Sequence, residues 1–159
     1  MVTGSLALAA YATPRMTRDI DLVVELGTQD AERIVSLFEG DCYVAPDAVR
    51  EAVAHRPDLH VNHMEWVAKA DLVVRGGSAF RRKEFERRRQ LRIEGQPVWF
   101  VAPEDLILSK LRWNAISPSE QQRQDVRDLL SAGIDLDFAY LERWADDLEV
   151  SATLDELRS

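Results

Sequence analysis

The stretch Thr3–Glu25, TGSLALAAYATPRMTRDIDLVVE, decides how this chain is read. Its end, Asp19-Ile-Asp-Leu-Val-Val, alternates like a short β-strand, in which successive side chains point to opposite faces. Ile20 and Leu22 therefore share one face, and Asp19 and Asp21 share the other. Carboxylates two residues apart on a strand stand about 6.6 Å apart at the backbone, and their side chains can converge further. Like charges on one face are costly unless a cation or a set of donors offsets them. A divalent ion is the simplest offset, because Mg²⁺ takes hard oxygen ligands and completes its shell with water and substrate phosphates. Upstream, Gly4-Ser5 opens a helix-forming run through Ala10, and a helix N-terminus presents free N–H groups and partial positive charge to an anion. One segment thus combines a phosphate cradle with a metal-binding pair of acids.

With Gly4-Ser5, Arg15, Thr17 and Asp19-x-Asp21 at this spacing, the segment resembles the nucleotidyltransferase superfamily, the DNA polymerase β-like fold. Within it the likeness is to small bacterial members related to abortive-infection and toxin–antitoxin nucleotidyltransferases. It runs from about Val2 to Leu129. The resemblance implies transfer of a nucleoside monophosphate from an NTP to a hydroxyl on an RNA end, tRNA included, or on a protein. It implies Mg²⁺ as cofactor, two ions, and a partner protein if the chain is a toxin or an antitoxin.

The resemblance extends to single residues. Lys69-Ala-Asp71 followed by Leu-Val-Val matches the family's later strand, which makes Asp71 a third acid beside Asp19 and Asp21. Such acids hold metal ions about 3.5–4 Å apart for an in-line displacement, and Asp71 is also a candidate base for the hydroxyl proton. Ala102–Leu111, APEDLILSKL, and Gln124–Leu129, QDVRDL, resemble segments that carry an active-site lysine and aspartate, here Lys110 and Asp125. Gln124 stands where relatives have a basic residue. Met1 lies almost on the Gly-Ser motif, whereas the resembled proteins carry a helix and loop before it. The motif's flank is therefore expected to be less covered, which bears on stability and on activity.

Ser5 has two compatible readings, a donor to phosphate together with Gly4 and the nearby N–H groups, and a helix cap. Arg15 and Arg18 either neutralise phosphate charge or are solvated.

The 159 residues carry a formal net charge of −8, so contact with nucleic acid must use a local basic patch. Phe80–Arg92, FRRKEFERRRQLR, offers one, all but its last two residues within an expected helix Ala79–Gln90. Arg81, Arg82, Lys83, Arg87, Arg88, Arg89 and Arg92 face only Glu84 and Glu86, a local excess of five positive charges. The run is either a solvated, salt-bridged helix or a face gripping an RNA by its phosphates. His60 and His63 stand three apart on a strand and so face opposite sides, which argues against a zinc site. The four tryptophans, Trp66, Trp99, Trp113 and Trp144, read as core.

Cys42 is the single cysteine, so no internal disulfide forms and a reducing compartment is expected. With no apolar run of membrane-spanning length and no signal segment, the expected location is the cytoplasm, with no membrane partner.

Further helices are expected over Asp30–Phe38, Asp47–His55, Gln121–Ala132 and Asp137–Asp147, and one from Pro103, where Glu104 and Asp105 suit the helix dipole. Strands are expected at Cys42–Val44, twice between Leu59 and Val74, and as a hairpin over Leu91–Val101. The tail past Val150 is expected to fray. Mixed strands and helices followed by helices alone give an α+β fold. The expected plan is a nucleotidyltransferase-like mixed β-sheet with flanking helices over 1–101 and a helical C-terminal part over 102–159, packed as one unit. Two rivals stay open, a metal-dependent phosphohydrolase and a non-catalytic antitoxin-like interaction module.

Overall fold

Alternation along the strands decides which face of the sheet is dry and which is left open. A computed structural model of the chain describes residues 1–17, 19–40, 42–43, 45–55, 58–65 and 69–158. In chain order the elements are β1 (Val2–Thr3), α1 (Gly4–Tyr11), β2 (Asp19–Val24), a 3₁₀ turn (Thr28–Asp30), α2 (Ala31–Phe38), β3 (Cys42–Tyr43), α3 (Pro46–His55), β4 (Asp58–His63) and β5 (Lys69–Val74). There follow α4 (Ala79–Glu86), β6 (Arg89–Ile93), β7 (Gln96–Phe100), α5 (Pro103–Ile116), α6 (Glu120–Ser131), α7 (Phe138–Asp147) and α8 (Ser151–Arg158). The strands form one mixed sheet in the order β3-β4-β5-β2-β1-β7-β6. The β2–β5 and β1–β7 pairs are parallel and the rest antiparallel.

The two-residue strand β1 is the keystone. It lies between β2 and β7 and so joins the two halves of the sheet. Val2 is buried, and its carbonyl accepts from Val101 N at 2.9 Å.

On the β4-β5-β2 half, Leu59, Val61 and Leu72 are buried on one face against Ala31 of α2 and Val49, Ala52 and Val53 of α3. The opposite face of these strands carries His60, Asn62, Lys69, Asp71, Asp19 and Asp21. Period-two alternation makes that second face polar. A second, larger cluster joins Val2, Leu8 and Phe100 to Leu106–Leu108 and Leu111 of α5, Val126 and Leu129 of α6, Leu141 and Trp144 of α7, and Leu154 and Leu157 of α8. Leu22 touches both clusters.

Two expectations need correction. The charged helix stops at Glu86 rather than Gln90, because Arg89–Ile93 pairs antiparallel with Gln96–Phe100 as the first strand of the hairpin. The tail past Val150 is helix α8, held by Leu154 and Leu157 in the core. No helix among the described residues is long and apolar enough to cross a membrane.

Candidate active site

Register brings the acids together. In the parallel β2–β5 pair, Asp21 lies directly opposite Asp71 and Asp19 opposite Lys69. In the antiparallel β4–β5 pair, His60 lies opposite Asp71. Asp21 and Asp71 line a single cleft of about 270 Å³. Helix α1 begins against Asp21: a Cβ built on Gly4 would stand 1.9 Å from Asp21 Oδ2, and Gly4 has φ +62°, where a side chain is strained in any case. The Gly-Ser start and the Asp-x-Asp strand are thus one packed unit, in which glycine lets the backbone approach the acid.

The acids differ in their surroundings. Asp71 Oδ1 meets His60 Nδ1 at 2.6 Å, and Oδ2 accepts from Lys69 Nζ at 2.9 Å. Burial works to raise the Asp71 carboxyl, but the contacts with His60 and Lys69 outweigh it and hold the group below the ordinary carboxylate range. No described side chain hydrogen-bonds to Asp21, and its carboxyl is pushed up, first by burial and then by the negative charges of Asp71 and Asp19. Asp19 is exposed at the strand's start, beside Thr17.

Among the described residues, no three carboxylate, imidazole or thiolate groups are gathered as a ready ligand set. What Asp21 and Asp71 offer is two hard oxygen donors on an open face, one of them carrying a repulsion that Lys110 and Lys69 offset only in part. That donor set fits Mg²⁺, which binds through one or two carboxylates and takes its remaining ligands from water and phosphate.

Across the cleft stands a wall of tethered cations. Lys110 Nζ donates to Asp125 Oδ2 at 2.6 Å and to Gln122 Oε1 at 3.1 Å. Arg81 Nη1 donates to both oxygens of the fully buried Glu84, at 2.9 and 2.8 Å, and to Ser109 Oγ at 2.8 Å. Arg75, which also lines the cleft, is paired with Glu25. Carboxylates behind each cation fix its position, so the wall is oriented before any ligand arrives.

Arg15 is not on this wall. Its guanidinium donates to Asp125 at 3.1 and 3.2 Å and to the Ser5 hydroxyl, so Ser5, Arg15, Asp125 and Lys110 form one hydrogen-bonded chain ending at the cleft. Ser5 does not cap α1; the cap position is Thr3, which makes no side-chain capping bond. Arg18 lies outside the described residues.

The basic run is not the free positive surface that its composition suggests. Arg87 pairs with Glu104 at 2.9 Å and Asp105 at 3.0 Å, and Arg89 reaches Glu104 at 3.3 Å. Glu104 and Asp105, read from sequence as dipole partners, are buried acids that take up these arginines. Arg88 lies over the rings of Phe85 and Trp99, Lys83 pairs with Glu86, and Arg82 donates to the Gly77 carbonyl. Arg81 turns into the cleft.

From sequence alone, no site role falls to His60, Arg75, Ser109, Trp113 or Gln122. Pairing register places His60 opposite Asp71, and no spacing within the chain encodes it. Trp113 and Trp99 are 52% and 43% exposed, not core as expected; Trp144 is buried, and Trp66 lies outside the described residues.

No protein-family model and no curated protein matches the chain. Among solved structures it is similar to the crystal structure of an antigenic nucleotidyltransferase-like protein from Paracoccidioides brasiliensis, at 17% identity and a TM-score of 0.51, over 97% of this chain and 83% of that one. The likeness is one of fold: an α+β chain with a mixed sheet and flanking helices, similar to a nucleotidyltransferase-like protein.

Proposed function

We propose that the chain is a Mg²⁺-dependent nucleotidyltransferase that moves a nucleoside monophosphate from an NTP to a hydroxyl and releases pyrophosphate. The observation that supports this most is the juxtaposition of Asp21 and Asp71, in register on the open face, with Lys110 and Arg81 across one cleft. Acids to hold a cation and cations to hold a polyphosphate are the two halves such a substrate needs. Asp21 and Asp71 would hold Mg²⁺, which when bound polarises the phosphoryl group and offsets its charge. Lys110, fixed by Asp125, and Arg81, fixed by Glu84 and Ser109, face the phosphates and offset the charge that develops on the leaving pyrophosphate. Asp71 accepts the proton of the attacking hydroxyl. The acceptor we propose is an RNA end or a protein side chain, in an enzyme of toxin–antitoxin type acting with a partner protein; resemblance of sequence alone supports this part.

The test is incubation with Mg²⁺, NTPs labelled at the α-phosphate, and total RNA or lysate. Label moved onto RNA or protein is the expected result, and Asp21→Asn and Asp71→Asn should each reduce it by about a hundredfold or more. Hydrolysis without transfer would make the chain a phosphohydrolase, and no turnover would make it an interaction module. Asp21→Asn should also raise the melting temperature without ligand by about 1–3 °C, since it removes a repelled, partly buried charge.

A further inference from the structure

Helix α5 presents one face to the cleft: Leu106, Ser109, Lys110 and Trp113, at helical spacings of three, one and three. The face changes character along its length. Ser109 and Lys110 belong to the cationic wall, and Trp113 lies one helical turn further, about 4.5 Å along the axis from Lys110. Its indole is 52% exposed, and Ile116, another three residues on, is 68% exposed. A cation followed by an exposed flat ring, on one helix face within one cleft, matches the order of a nucleotide: charged phosphates, then a heteroaromatic base.

The other described tryptophans already have partners on their rings. Trp144 packs against Phe80 at 5.5 Å and Tyr140 at 6.2 Å, and Trp99 carries the Arg88 guanidinium at 4.9 Å. Among the described residues no ring or guanidinium is seated on Trp113. A large half-exposed ring beside a tethered cation favours a stacking partner that is itself flat and attached to phosphate.

We propose that the indole of Trp113 is the platform on which the base of a nucleoside triphosphate stacks while its phosphates lie against Lys110 and Arg81. This rests on reading the cleft as a nucleotide site, and it names the residue that holds the base. Stacking needs only a π-face, so the platform accepts any base, and larger purine rings bind more tightly than pyrimidines.

Tryptophan fluorescence and calorimetry test this on the intact chain with Mg²⁺ present, using ATP, CTP and inorganic triphosphate as probes. ATP should quench the fluorescence, and in Trp113→Phe, which keeps a stacking ring, most of that quench should disappear while ATP still binds. Trp113→Ala should bind ATP about tenfold more weakly and inorganic triphosphate as the unaltered chain does. If Trp113→Ala binds ATP with unchanged affinity, or if the quench survives in Trp113→Phe, Trp113 is not the platform and the nucleotide reading still stands. If neither ATP nor triphosphate binds the unaltered chain, that reading fails and takes this proposal with it.

Discussion

Lys110 Nζ lies 2.6 Å from Asp125 Oδ2, a largely buried ion pair at the wall of the cleft that ties α5 to α6. Burial works to raise the Asp125 carboxyl, but hydrogen bonds from Lys110, Arg15 and Gln121 outweigh it and keep the group ionised. A buried pair broken on one side leaves an uncompensated charge, and that costs about 3–5 kcal/mol. Asp125→Ala strands both Lys110 and Arg15 and should cost that much in urea unfolding. Lys110→Met leaves Arg15 and Gln121 on Asp125 and should cost less. The double variant should fall short of the summed single costs by about 1–3 kcal/mol. Additive costs would mean that the pair is not a unit.

Gly4 and Asp21 are coupled by contact. A methyl at Gly4 meets Asp21 Oδ2 at 1.9 Å, and the backbone there holds φ +62°. Gly4→Ala should destabilise the chain by about 1–3 kcal/mol from backbone strain, plus the cost of displacing the carboxylate. In an Asp21→Ala background the collision is gone and only the strain remains, so the cost of Gly4→Ala should shrink without vanishing. An equal cost in both backgrounds would place the whole effect in the backbone.

Arg87 and Arg82 stand five residues apart in one basic run and differ in what they hold. Arg87 serves Glu104 and Asp105, both buried, and lies 3.7 Å over the ring of Tyr140. Arg82 is exposed and donates to a backbone carbonyl. Arg87→Ala should cost about 3–5 kcal/mol, and Arg82→Ala should fall within about 0.5 kcal/mol of the unaltered chain. Similar, small effects at both sites would restore the picture of a solvated basic helix.

These pairs also show what the sequence could and could not disclose. Asp19 and Asp21 could be placed on one face because a strand has period two, which separates an acid face from an apolar one. Asp71 was picked out by the resemblance of its strand to a family segment. Lys110 and Asp125 were picked out by resemblance, and the short turn at Ser117-Pro118 accounts for their meeting by returning α6 along α5. The partners of the basic run were not legible because charge counting cannot see residues distant in sequence: Arg87 and Arg89 answer Glu104 and Asp105, 15–18 residues on. The helix boundary failed for the same reason, since Arg89–Ile93 becomes a strand through pairing with Gln96–Phe100 and not through its own propensity. Helix α8 has too few apolar residues to declare itself, and packing of Leu154 and Leu157 fixes it.

Asp105 gives the chain an internal test of that buried network by pH. Its carboxylate is closed off from solvent between Tyr140 Oη, at 2.5 Å, and Arg87 Nε, at 3.0 Å. Burial pushes its pKa from the ordinary 3.8 up to about 6, although Tyr140 and Arg87 pull the other way. The folded chain therefore keeps this proton to about pH 6, whereas the unfolded chain releases it near 3.8. Between those values the folded state binds more protons, so this group's contribution to stability falls as pH rises. Asp71, Asp125 and Glu120, whose carboxyls are held low, contribute with the opposite sign: their stabilisation is present above the unfolded values and is lost as pH falls through the folded ones. The total profile mixes the two, and a difference separates them. Stability of the unaltered chain relative to Asp105→Asn, from urea unfolding, should decline by roughly 2–3 kcal/mol from pH 4 to 7 and then level off. A flat difference across that range would mean that Arg87 and Tyr140 keep Asp105 ionised throughout, and that burial is not the stronger influence on it.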